Sequence, residues 1–233
     1  MKNKRKNYIR IAFYSSLLLL PLYAFLIEPK WVIVKHIRLS DNPTLKIVHF
    51  SDLHYKGDKE FLDKIVRKIN YINPDIVCYT GDFVEDNAFL AGALESLSKI
   101  KKPLYGVPGN HEYWHNVDFK KIEEVFIKTG GHFISSENGG TISIKNMNIY
   151  LVHYPDFADD LNAKYNLILA GHSHGGQIRI PFFGALILPY KAKKYDKGLF
   201  ETKDGTLSVN PGIGTFFIPA RFFCRPELTV IEL

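Results

Sequence analysis

Cysteine is nearly absent: Cys78 and Cys224 are the only two in 233 residues. Two thiols cannot build a disulfide framework, and neither sits at thiolate metal-ligand spacing. Cys78 lies inside the apolar run "DIVCYTGD", where a buried free thiol is the expected state. Internal repeats, low-complexity runs and Gly/Ser/Pro-rich linkers are also missing, which excludes repeat arrays and gives no interior boundary at which to divide the body. Acid is missing from the first ten residues, which carry Lys2, Lys4, Arg5, Lys6 and Arg10. That tail accounts for most of the formal charge of +6, leaving 25 basic against 24 acidic residues elsewhere. A body so close to neutral lacks the basic footprint of a nucleic-acid binder.

Behind the tail, Ile11 to Ile27 ("IAFYSSLLLLPLYAFLI") holds no charge. Seventeen residues is the short end of a membrane span, so residues 1–28 read as a basic tail with an anchor or uncleaved signal helix, and 29–233 as the working domain. The basic flank predicts an inside N-terminus and a body on the far, extracytoplasmic side of the membrane.

From residue 31, short strands alternate with helices. "WVIVKHIRL" and "LKIVHFS" read as two strands joined by the turn at 40–43. Phe61, Leu62, Ile65, Val66, Ile69 and Ile72 recur at helical spacing over 58–72. "DIVCYTG" and "PLYGVPG" read as buried strands; 87–100 and 116–130 read as helices. After residue 133 the pattern is mainly short strands and tight turns, so the expected fold is α/β, two stacked sheets with helices outside. The runs 180–190 ("IPFFGALILPY") and 216–223 ("FFIPARFF") read first as core strands; the alternative is an acyl-accepting surface.

What marks the chain is the chemistry after its apolar strands: "SDLH" (51–54), "GDFVE" (81–85), "PGNHEY" (108–113), "VHYPD" (152–156) and "AGHSHGGQ" (170–177). A given tetrapeptide such as "GNHE" arises by chance in a chain of this size about once in a thousand, at ~5% usage per residue. Asp52 and His54, like His172 and His174, are two residues apart, a spacing that returns side chains to one side of a strand. Carboxylate, imidazole and amide oxygen together suit divalent ions of intermediate softness, such as manganese, iron or zinc, rather than magnesium or calcium, and the missing thiolates argue against structural zinc. His36, His49, His115 and His132 fall in strands or near helix ends and read as structural or exposed.

This set resembles the calcineurin-like metallophosphoesterases, in particular their membrane-associated bacterial branch, over residues 45–177 and the closing "NPGIGTFFIPARFFCRPELTVIEL". The resemblance implies an αββα sandwich and a binuclear site. One ion would be held by Asp52, His54 and His174, a second by Asn110, His153 and His172, with Asp82 bridging. It further implies attack on a phosphate ester by a metal-bridging hydroxide, with His111 facing the phosphoryl group. Glu85 stands where many members orient that histidine with an aspartate. Pro211 stands where the branch often shows an arginine, so a phosphate contact from that place is either lost or supplied elsewhere, with Arg221 as the candidate. The implied substrate is a phosphodiester, a phosphomonoester or a lipid-linked pyrophosphate such as UDP-2,3-diacylglucosamine. The competing class is a non-catalytic, membrane-anchored binding protein that kept the fold.

Overall fold

The early strands Lys46–Phe50 and Ile76–Thr80 are buried on both faces, and alternate side chains along them meet different layers. The computed structural model describes residues 2–233, leaving aside the side chains of residues 2, 3, 5, 9, 11–13 and 18. In chain order it forms helix α1 (Lys2–Leu22), strands β1 (Ile33–Arg38) and β2 (Lys46–Phe50), α2 (Lys59–Ile72), β3 (Ile76–Thr80), α3 (Leu90–Leu97), β4 (Leu104–Val107), the short α4 (Asn110–Trp114), α5 (Phe119–Lys128) and β5 (His132–Phe133). The second half adds β6 (Gly140–Ile144), β7 (Met147–Leu151), β8 (Leu167–Ala170), the two-residue β9 (Arg179–Ile180) and β10 (Gly184–Ala185), β11 (Gly198–Thr202), β12 (Gly205–Val209) and β13 (Glu227–Glu232).

Val48, Phe50, Val77 and Tyr79 point to one face, where they pack with Leu62, Ile65 and Ile69 of α2, Leu94 of α3 and Phe126 of α5. Ile47, Ile76 and Cys78 point to the other and meet Ile149, Leu151, Leu167 and Leu169 of the second sheet. One sheet runs β1-β13-β2-β3-β4-β5 and the other β11-β12-β8-β7-β6. Both are mixed and stacked, flanked by helices as expected: α2, α3 and α5 cover the outer face of the first, and the 3-10 turn Pro155–Asp159 packs on the second. Strands β2, β3 and β4 run parallel, as do β7 and β8, so their C-terminal ends gather along one edge. Loops after such strand ends are held by a rigid frame, which suits them to carry chemistry. Helix α2 shows how the frame is set locally: the Asp58 carboxylate accepts from Phe61 N–H at 3.0 Å, and Asn73 ends the helix in the left-handed region. Cys78 and Cys224 are both free and buried.

Three sequence expectations change. Strands β1 and β2 do not form a hairpin: β13 lies between them, parallel to β1 and antiparallel to β2. Five of the six β13 residues are buried while β1 is largely half-exposed, so the more apolar closing strand takes the central place and β1 the edge.

The runs at 180–190 and 216–223 are not core strands throughout. Phe182, Phe183, Ile187, Tyr190 and Phe217 are strongly exposed, whereas Ala220 and Arg221 are buried.

The membrane anchor is the third correction. Among the described residues no helix is long and apolar enough to cross a membrane. Helix α1 carries the five basic residues in its first half, and α-geometry stops at Leu22, giving way to a π-helical turn (Tyr23–Ile27) and a 3-10 turn (Glu28–Lys30). Its uncharged α-helical part, 11–22, is about 18 Å long at ~1.5 Å per residue, against roughly 30 Å of hydrocarbon. Placement at a bacterial inner membrane through a single N-terminal span therefore does not follow.

The end of that segment packs on the body instead. Buried Glu28 accepts from Phe223 N–H at 3.0 Å and Cys224 N–H at 2.5 Å, Arg221 N–H donates to Ala24 O, and the Tyr23 ring meets Phe222 edge-on. Replacing Glu28 by Ala leaves the buried Cys224 N–H and the part-buried Phe223 N–H without their carboxylate, and should lower stability by about 1–3 kcal/mol. A denaturant titration checks this; an unchanged midpoint would contradict the clamp.

Candidate metal centre

The strand ends converge through a backbone that is strained where the chemistry sits. Asp52, His54, Asp82, His172 and His174 all have positive φ, between 41° and 63°. Non-glycine residues adopt this region at a cost of order 1–3 kcal/mol, which persists only where the surroundings impose it. The same-side display of Asp52 and His54 is therefore not a strand alternation, since β2 ends at Phe50. It comes from left-handed loop residues pinned across the sheet: Asp52 N–H to Gly81 O at 2.9 Å, and His54 N–H to Asp82 O at 3.0 Å. His172 and His174 follow β8 in the same manner, and His172 N–H donates to both Asp52 carboxylate oxygens at 3.1 Å.

Among the described residues three groups of potential ligand atoms result, each with its atoms within 4.8 Å of one another: the clusters Asp52–His54–His174 and Asp82–His153–His172, and a group His54–Glu85–His111 that shares His54 with the first. Asp82 joins the two clusters: its Oδ2 lies 3.5 Å from His54 Nε2 and 3.4 Å from His153 Nε2. Asn110 Oδ1 is 3.1 Å from His153 Nε2, and His172 Nδ1 is 3.0 Å from that same nitrogen. The donor set fits divalent ions. His54 Nε2 and His174 Nε2 are 2.9 Å apart, about the separation of two nitrogens held at right angles by one ion at ~2.0–2.1 Å.

The tautomers agree. His153 Nδ1 donates to Thr80 O at 2.7 Å and His172 Nε2 to Tyr190 O at 2.8 Å, so each ring leaves its other nitrogen free for the cluster. Burial works against a charge on His153, but the Asp82 carboxylate outweighs it and carries the imidazole up to about 9. Burial and the neighbouring His153 push His172 down to about 3, and burial, aided by the Asp82 charge, takes Asp52 up to about 6 against the pull of the imidazoles. Carboxylates and imidazoles packed this closely are what a pair of cations would reconcile.

Glu85 sits differently from the sequence expectation. Its Oε1 is 2.5 Å from His54 Nδ1 and 3.8 Å from His111 Nδ1, so the nearer ring is the one in the first cluster. His111 opens α4 beside Asn110; its ring faces the cavity over the cluster, and burial pushes it down to about 4. Arg221 does not line that cavity. It is fully buried and spends its guanidinium on the carbonyls of Pro211, Gly214 and Cys224 at 2.6–3.0 Å. The turn it braces supports the first cluster, because Gly214 N–H donates to Asp52 O at 2.7 Å. His49 is buried against the Thr80 hydroxyl at 2.9 Å, outside both clusters.

Glu112, the last residue of "GNHE", had no role in the sequence reading. Its buried carboxylate accepts from Gly109, Asp82 and Phe83 N–H groups at 2.7, 2.9 and 2.7 Å, tying the second motif to the third. Burial and the Asp82 charge raise it to about 7 while the three donors oppose that rise. The sequence signal was a carboxylate three residues after a glycine at a helix start, a capping pattern. Gly109 is equally constrained: a Cβ there would lie 2.0 Å from Asp82 Oδ1.

The family model described as calcineurin-like phosphoesterase matches residues 45–176. The Bacillus subtilis metallophosphoesterase YkuE is 30% identical over 225 residues, covering 81% of this chain and 78% of its own length. The Escherichia coli phosphodiesterase YaeI is 26% identical over 249 residues, covering 91% of this chain and 92% of its own length. A solved archaeal phosphodiesterase aligns at 15% identity and a TM-score of 0.48, covering 72% of this chain and 84% of that one.

Gly109→Ala should displace the Asp82 carboxylate and cut bound metal by at least about tenfold in affinity, a loss of ~1.4 kcal/mol or more. Calorimetric metal titration alongside circular dichroism checks it; full affinity in a folded variant would contradict the close approach.

Proposed function

Since the chain belongs to the calcineurin-like phosphoesterase family and is a metal-dependent phosphoester hydrolase, we propose that it uses two divalent ions, manganese foremost, to hydrolyse a phosphodiester, phosphomonoester or lipid-linked pyrophosphate. The observation that carries this reading is the position of Asp82 Oδ2, about equally far from an imidazole of each cluster. Asp52, His54 and His174 would hold one ion, Asn110, His153 and His172 the other, and Asp82 both. When bound, such a pair neutralises phosphoryl charge and lowers the pKa of water near 7.

The chain's own residues supply the rest. Glu85 fixes the His54 ring through Nδ1, which leaves Nε2 for the ion. His111, buried at the cavity floor beside the first cluster, faces the phosphoryl group and serves the departing oxygen as hydrogen-bond or proton donor. Its backbone N–H donates to Asp82 Oδ1 at 3.0 Å, so ring and cluster keep a fixed relation. Glu112 and the Gly81–Gly109 approach keep that frame from relaxing.

The cavity above the ligands, about 550 Å³, is walled by apolar side chains including Trp114, Leu186, Ile187 and Phe216. These walls favour an ester with an apolar portion, among which a lipid-linked phosphate or pyrophosphate such as UDP-2,3-diacylglucosamine is the sharpest candidate. Arg221 makes no phosphate contact in this reading; it holds the turn behind Asp52.

His111→Ala should lower kcat on bis-p-nitrophenyl phosphate by about 10²–10⁴-fold while two ions per chain remain bound. Loss of metal in that variant would move His111 from the substrate to the ligand set. Asp82→Ala should lose metal and turnover together; a fully active variant would refute the shared-carboxylate assignment.

A further inference from the structure

The motif "GHSHGGQ" ends in a residue that the two clusters do not use. Gln177 has φ +54° and ψ −47°, a conformation unfavourable for a side-chain-bearing residue, three positions after His174. Its side chain makes a reciprocal pair with one backbone unit: Nε2–H donates to Phe216 O at 2.9 Å, and Phe216 N–H donates to Oε1 at 2.7 Å. Its own carbonyl accepts from Phe222 N–H at 2.9 Å. One residue thus ties both ends of the 216–222 segment to the strand end that carries His172 and His174.

The result is an aromatic wall. The Phe216 ring centroid lies 5.1 Å from that of His111, edge-on, and 5.7 Å from that of His54. Leu186, Ile187 and Tyr190 line the same cavity, and the Tyr190 carbonyl also holds His172. Ile178 and Ile218 continue the apolar lining. Polar groups gather at the floor, where the clusters lie, and apolar groups rise to a mouth edged by Ile187 and Phe217, 78% and 88% exposed. A phosphate on the floor would direct one of its ester arms along these walls.

We propose that Gln177 is a positioning residue that hangs Phe216 as one wall of a hydrocarbon slot, so that the site selects phosphoesters carrying an aliphatic chain on one alcohol. This rests on the hydrolase reading above and adds the residues that set its selectivity. The slot acts by removing chain methylenes from water, each worth ~0.8 kcal/mol when fully buried. A partner protein seated on the same apolar mouth is the rival occupant, and it predicts no dependence on ester chain length.

The test uses the manganese-loaded full chain with octylphosphonate and methylphosphonate in calorimetry, and octyl and methyl p-nitrophenyl phosphate in kinetics. Octylphosphonate should bind at least about tenfold more tightly, with a negative heat-capacity change, and octyl ester should show the lower KM. Phe216→Ala and Gln177→Ala should each reduce the octyl-to-methyl ratio by about tenfold, and Phe216→Leu should restore most of it. Equal binding of the two phosphonates by the unmodified protein overturns the slot, whatever the variants do. A ratio that survives Gln177→Ala but not Phe216→Ala overturns the positioning role. Chain-length preference in binding with neither ester hydrolysed sinks the hydrolase reading and leaves the slot standing. Hydrolysis of both esters without preference does the reverse.

Discussion

The Asp82 carboxylate is the point on which the rest of the architecture bears. It is buried and reached by imidazoles from two sheets: His54 after β2 and His153 after β7. An uncompensated carboxylate in such a place is costly, and proteins retain one only when it is paired, hydrogen-bonded or bound to metal. Here every neighbour serves to keep it in place. Its own N–H is held by Glu112, its Oδ1 by His111 N–H, and the glycines on either side admit no side chain. The strain in the left-handed residues around it is sustained by these bonds and by two apolar cores that lock the sheets beneath.

From that constraint the layering acquires a functional sense. The helix-side core fixes β2, β3 and β4, and the inter-sheet core fixes β7 and β8 against them. The parallel direction of both sets brings Asp52, His54, Asp82, Asn110, His153, His172 and His174 to one edge, although they span more than half the chain. Support reaches the site from the far end of the sequence too. Arg221 braces the turn behind Asp52, Glu28 braces the segment that holds Arg221, and Gln177 ties Phe216 to the histidine pair.

Much of this was legible in the sequence, for definable reasons. The 3.6-residue pattern located the helices, each of which buries one face, and short apolar runs bounded by turns located most strands, whose central members are buried on both faces. The residues of the site stood out because their types suit one chemistry and each followed an apolar strand. Other features had no local signature. The insertion of β13 between β1 and β2 depends on which strand is the more apolar, a comparison across two hundred residues. Gln177 went unread because its partner is a backbone unit about forty residues away, and Glu112 showed locally only its cap on Gly109, not its bonds to Asp82 and Phe83 about thirty residues away. The same-side logic for Asp52 and His54 assumed a strand, whereas left-handed loop residues after β2 bring the two into one cluster. The apolar runs at 11–27 and 180–190 carried hydrophobicity without fate: one ends as a helix too short in its uncharged part, the other as the exposed rim of a cavity.

The central claim is that the two clusters act as one binuclear centre sharing Asp82, and electron paramagnetic resonance of the manganese-loaded protein tests it most directly. Two Mn(II) ions about 3.5–4 Å apart, as in two-metal hydrolytic sites, should give the broad multi-line spectrum of an exchange-coupled pair once two equivalents have bound. A simple six-line spectrum of isolated ions at that stoichiometry would contradict the account.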